Sequence, residues 1–183
     1  MEPEKADSWE WLLSNNGTFA TNILSTVLNS KILSAGTNRE ETLRNNLVPK
    51  KVEVFVWRTK KKRLPVLMEL DKRGIDLHSV RCPVCDGDVE SVDHAILFCK
   101  NTLYIWTEVF NWWGMKVAAS LSIGEMFNIF QTSAMTELGA KIWQAVRWTC
   151  GYLIWRNRNQ KVFKNKNWNP PVALNEIQIT SFE

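Results

Sequence analysis

The chain has 183 residues, 45% of them apolar and 23% charged, with a formal net charge of +4. That length suffices for one domain or a pair of small ones. A membrane span is excluded, because the most apolar window, Ile142 to Trp155, is short and is broken by Gln144 and Arg147. Four cysteines could form two disulfides, but the polar Met1-Glu2-Pro3-Glu4-Lys5 start has no signal-peptide pattern. A reducing, intracellular setting is therefore expected, with nucleus and cytoplasm not distinguished.

The predicted elements begin after a charged, fraying start. Trp9 to Leu13, the Ser14-Asn15-Asn16-Gly17 turn and Thr18-Phe19 predict a short β-hairpin. Thr21 is placed to cap a helix reaching about Leu33, with Ile23, Val27 and Leu28 on one face. A polar linker follows over roughly 34–47. Pro49 suits a first helical turn, and Val52, Phe55, Val56 and Thr59 recur at helical spacing behind it. Trp57 either packs or stands exposed for stacking, and packing is the expectation. A second short helix starts at Pro65 with Leu67 and Leu70 inward, and Gly74 is its expected C-terminal cap.

Residues 81–99 then bring together three of the four cysteines and one of the two histidines. The spacing is Cys82-x2-Cys85, eight residues, His94-x4-Cys99. Zinc takes four soft or borderline donors at tetrahedral corners, and a C-x2-C turn supplies two thiolates from one loop. Pro83 and Asp86-Gly87 are turn formers, which puts the first two ligands on a knuckle. Ser91 is a good N-cap for a helix carrying His94. Five residues correspond to roughly 140° around an ideal helix, so a distorted turn is expected near Cys99 if both residues bind one ion. The ligand set is Cys82, Cys85, His94 and Cys99, holding one structural Zn2+, with His78 the one rival. Asp86 and Asp88 fall inside the loop, where turn or supporting roles suit them better than catalysis.

Beyond the knuckle, Leu103, Trp106, Val109, Phe110 and Trp113 keep a helical period up to Gly114. Ser122 to Phe130 predicts a short helix. A long one runs from about Thr136 to Lys164, with Leu138, Ile142, Val146, Thr149 and Leu153 on its inner face, and Trp168 to Pro171 end it. Cys150 is expected as a small buried apolar residue. The fold class is mainly α: a small helical zinc-binding domain with a short N-terminal β-hairpin and a C-terminal helical extension. The expected divisions are 1–47 (hairpin, helix and linker), 48–114 (zinc-binding domain), 115–168 (helical extension) and 169–183. The last is a weakly amphipathic tail, either flexible or awaiting a partner outside the chain.

Charge is uneven. Residues 49–73 carry nine Lys/Arg against three acids, residues 147–166 carry six against none, and the remainder sums to −8. Two basic segments in an otherwise acidic chain point to a polyanionic partner, RNA or DNA. The candidate contacts are Lys50, Lys51, Arg58, Lys60, Lys61, Lys62 and Arg63 in the first segment. Arg156, Arg158, Lys161 and Lys164 form the second.

Several of these residues also form a family pattern. Pro49 to Arg58, Arg63-Leu64-Pro65, Leu70, Arg73-Gly74-Ile75, the Cys/Cys/His/Cys set with Glu90-Ser91 before His94, and Trp106 closely resemble the zinc-binding domain of plant-type non-LTR retrotransposon reverse transcriptases. Trp11, Gly17 and Phe19 extend the pattern upstream, and Ile154-Trp155-Arg156, Arg158-Asn159 and Val162-Phe163 resemble the linker that follows the domain. The resemblance implies the same four ligands and a place downstream of a polymerase, often before a ribonuclease H domain. Neither the paired aspartates of a polymerase nor the acidic set of a two-metal nuclease is recognisable here. The expectation is a zinc-stapled nucleic-acid-binding module without catalysis of its own. The alternative is a scaffold docking onto polymerase or ribonuclease H domains.

Overall fold

The computed structural model describes residues 10–12, 14, 17–33, 44–115, 122–128 and 135–181. The chain divides into two compact units, Met1–Thr42 and Leu43–Glu183.

In the first unit the Trp11 N–H donates to the Gly17 carbonyl at 2.8 Å, and Ser14 Oγ donates to the Thr18 carbonyl at 2.8 Å. The Trp11 and Phe19 rings meet edge to face with centroids 4.9 Å apart. These contacts close a turn, and no strand forms among the described residues before α1 (Thr21–Leu33). Trp9, Leu13, Asn15 and Asn16 of the expected hairpin lie outside the described residues.

The second unit holds α2 (Lys50–Lys60), α3 (Leu67–Asp71), a π-helical turn (His94–Phe98), α4 (Lys100–Trp112), α5 (Ile123–Phe127), α6 (Glu137–Lys164) and α7 (Pro170–Thr180). The β content among the described residues is one isolated antiparallel bridge, Arg81 to Val89. The expected stripe of α2 is buried: Val52, Phe55, Val56 and Thr59. The helix ends in two reversed bonds, Lys62 N–H to the Thr59 carbonyl and Arg63 N–H to the Arg58 carbonyl, with Lys62 at φ +52. Those bonds define a Schellman closure, with a lysine where glycine is usual. α3 closes the same way on Gly74 at φ +77, as its sequence predicts.

α6 is the central element, packed against α2, α5, α7 and the π-turn. Residues 143–151 are buried on all sides, the state of a helix surrounded by neighbours. Gly151 is needed there, since a Cβ would lie 2.7 Å from the Phe127 ring. The expected inner face is right for Val146, Thr149 and Leu153 and wrong for Leu138 and Ile142, which are 62% and 38% exposed. Ala140 and Trp143 take their place, because the Trp143 ring must reach Phe110, 5.0 Å away, and Trp113, 4.8 Å away. The capping box at Ser122 and Glu125 starts α5 where expected. The last two positions of that expected helix, 129–130, lie outside the described residues.

The tail is also corrected. Asn169 caps Val172, and Pro170 and Pro171 open α7 rather than only closing α6. Ala173 and Ile177 are buried, and α7 packs on α4 and α6. Among the described residues no helix is long and apolar enough to cross a membrane.

Candidate metal centre

The first two ligands sit on a tight loop. Arg81 pairs with Val89, Cys82 N–H donates to the Asp88 carbonyl at 2.8 Å, and Asp86 N–H donates back to the Cys82 carbonyl at 2.8 Å. Asp86 adopts φ +54, which turns the chain after Cys85. Aspartate tolerates this left-handed conformation better than most residues do.

The other two ligands come from a helix that starts where the sequence places it, since Ser91 Oγ accepts the His94 N–H at 3.0 Å. The phase difference between His94 and Cys99 is removed by the π-turn. Cys99 N–H bonds the His94 carbonyl at 2.8 Å, an i to i+5 bond that stacks the fifth residue over the first. A π-turn leaves carbonyls without their usual helical donors, and α4 supplies substitutes. Thr102 Oγ1 donates to the Ala95 carbonyl at 3.2 Å, and Trp106 Nε1 to the Ile96 carbonyl at 2.7 Å. Both side chains are buried, so Trp106 acts as a clamp between the ligand turn and α4.

Together these elements bring the ligand atoms of Cys82, Cys85, His94 and Cys99 within 4.8 Å of one another. Cys85 Sγ is 3.3 Å from His94 Nε2. Tetrahedral Zn–S and Zn–N bonds hold ligand atoms roughly 3.3–3.8 Å apart, so closure on one zinc ion requires movement of about 1 Å. The thiols are poised for it. Cys99 is pulled down to about 5, first by the hydrogen bond with Cys82, against the effect of burial, and also by the N–H groups of Asn101 and Thr102. The same bond and burial hold the Cys82 thiol above its usual range. A bound Zn2+ would hold both sulfurs as thiolates. On the far side of the imidazole, Asp88 Oδ2 lies 3.7 Å from His94 Nδ1, where a carboxylate can orient the ring. His78 is exposed and outside the cluster, and Cys150 is buried in the apolar core with its thiol held well above the usual range by burial.

Glu90 was not singled out as a site residue by sequence reasoning, and it joins this centre to the helices. It is fully buried, and its carboxylate accepts the Leu67 N–H at 2.9 Å and both arms of Arg158, with Nε at 2.7 Å from Oε1. Its backbone carbonyl also accepts the Met68 N–H at 3.3 Å. One residue thus caps α3 and anchors α6. The only local signal is an acid directly before the Ser91 cap; its partner lies 68 residues further on.

The candidate nucleic-acid residues separate into groups. Arg58, Lys61 and Lys164 are exposed, and Lys161 is half-buried. Lys60 Nζ donates to Asn128 Oδ1 at 2.9 Å, and Lys62 pairs with Asp93 at 2.9 Å. Lys50 pairs with Glu53 at 2.8 Å, and Lys51 Nζ sits 5.7 Å from the Tyr152 ring centroid. Arg156 is bound to Glu176. Arg158 is 3% exposed and held by Glu90. Trp57, expected to pack, is 45% exposed with the Arg63 guanidinium 5.8 Å from its ring centroid.

A helical unit with a largely buried Cys3His cluster carries the donor set of a zinc-binding domain. Residues 21–106 match the family described as zinc-binding in reverse transcriptase. Over 118 residues the chain is 27% identical to an Arabidopsis thaliana protein named "Putative ribonuclease H protein", covering 60% of this chain and 19% of that relative. The matched stretch is thus about a fifth of the relative's length. Both findings agree with the resemblance to plant retrotransposon polyproteins. No solved structure matches the chain.

Proposed function

We propose that the protein is a structural-zinc module of a retrotransposon-derived polyprotein that holds RNA or DNA by its phosphates and performs no catalysis itself. The observation that carries the reading is the donor set: four protein side chains, Cys82, Cys85, His94 and Cys99, that together could fill the four tetrahedral positions of one zinc ion. A catalytic zinc keeps one position for water or substrate, whereas a closed site contributes folding energy. A zinc ion held there would fix the loop against α3 and α6, and the cations Lys60 to Arg63 stand at the end of α2. The setting is intracellular, where thiolates stay reduced.

A second reading rests on a groove of about 540 Å3 lined by Leu67, Leu70, Leu77, Val162 and Phe163. An apolar groove of this kind suits docking onto a polymerase or ribonuclease H domain.

Fluorescence anisotropy of the zinc-loaded protein with a structured RNA across a salt series separates the two. About five phosphate contacts give a log–log slope near −4, and changing Lys60, Lys61, Lys62 and Arg63 to Ala should flatten it. A flat response in the unaltered protein would leave the scaffold reading.

A further inference from the structure

We propose that the outward stripe of α2 is a stacking platform for unpaired nucleotides, with Trp57 as the ring that a base covers. The proposal rests on the nucleic-acid reading above and specifies the strand state and the contact. Val54, Trp57, Arg58 and Lys61 recur at i, i+3, i+4 and i+7, so they share one face. All four are exposed, while Val52, Phe55, Val56 and Thr59 fill the opposite, buried face. Exposure sets Trp57 apart from the core anchors: Trp106, Trp143 and Trp148 are at 1% or less, against 45% for Trp57.

The turn after α2 decides what surrounds that ring. Arg63 N–H bonds the Arg58 carbonyl at 2.8 Å, folding the chain back along the helix it has just left. The Arg63 guanidinium is thereby placed 5.8 Å from the Trp57 centroid. An indole with a guanidinium beside it offers a base a π surface and offers the flanking phosphate a cation. Arg58 extends the path to the lip of the groove between α3 and the end of α6, whose lining contains no Asp or Glu among the described residues. A phosphodiester chain leaving Trp57 therefore meets no lining carboxylate there. A duplex, whose bases are already stacked on one another, has no free face to give the ring, so the contact favours single strands.

The test compares a fluorescein-labelled 12-nucleotide single strand with a loop-free, blunt-ended duplex of equal charge, using the full zinc-loaded chain. Trp57→Ala should weaken single-strand binding about tenfold or more, leave duplex binding and the salt slope unchanged, and be rescued by Trp57→Phe. Arg63→Ala should lower the salt slope by about one. Zinc stoichiometry and near-UV circular dichroism establish that each variant is folded. An unchanged single-strand affinity in Trp57→Ala, or an equal loss on both ligands, overturns the platform while the electrostatic module survives. If the unaltered protein binds neither ligand at low salt, both readings fall.

Discussion

At the end of α2, Lys60 to Arg63 surround a helix terminus and lean on surface partners such as Asn128 and Asp93. On α6, Arg156 and Arg158 are each met by a glutamate from another element, Glu176 and Glu90. The first group leaves its cations in water, close to the negative end of a helix dipole. The second turns cations into fasteners between elements, buried at Arg158 and partly exposed at Arg156. What separates them is the supply of carboxylates in three dimensions and the fork of the arginine head, which binds a carboxylate with two arms where lysine offers one point of charge.

The largest effect that would collapse this distinction is loss of the metal. Cys85→Ser or His94→Ala should release zinc and loosen residues 75–110, including the loop that holds Glu90 against Arg158. Elemental analysis and near-UV circular dichroism check this; full zinc content with an unchanged spectrum would refute the ligand assignment.

Next in size, Glu90→Ala leaves Arg158 buried and unpaired, at a cost of about 3–5 kcal/mol in urea unfolding of the zinc-loaded protein. Arg156→Ala should cost about 1 kcal/mol or less, because that pair is more than a third exposed. Equal losses would mean that the two arginines are not held differently.

The Arg158 fastener also depends on how closely α6 approaches α5 and α2. Gly151→Ala drives a methyl into Phe127 and should cost about 1–3 kcal/mol. No change in the urea midpoint would show that the helices separate freely.

The smallest effect sharpens the other side of the comparison. Lys62 holds a left-handed φ of +52, so Lys62→Gly should stabilise the fold by roughly 0.5–1 kcal/mol. The same change should lower the salt slope of nucleic-acid binding by about one. Stability and binding moving together would argue that the cations at this corner serve the fold.

Much of the centre was legible because its signals are local. The C-x2-C turn, the Ser91 cap and the five-residue offset between His94 and Cys99 are each read within a few residues, and that offset already required the distortion found as a π-turn. The buried stripe of α2 and the Gly74 closure were legible for the same reason. The inner face of α6 was only half legible, since a helix buried on all sides has no single apolar stripe for periodicity to detect. α7 was read as a tail because Pro170 and Pro171 look like a stop from upstream and like a start only from downstream.

The sequence by itself determined the ligand set, the helical class and the sign of the charge in each segment, because these depend on residue type and short spacing. Only the tertiary structure decided that Trp57 stands in solvent and that Arg158 turns inward. It also decided that Glu90 ties the zinc loop to a helix 68 residues away. The physical reason is that a charged or aromatic side chain is placed by whichever partner the fold brings within a few ångströms, and such partners carry no fixed separation along the chain.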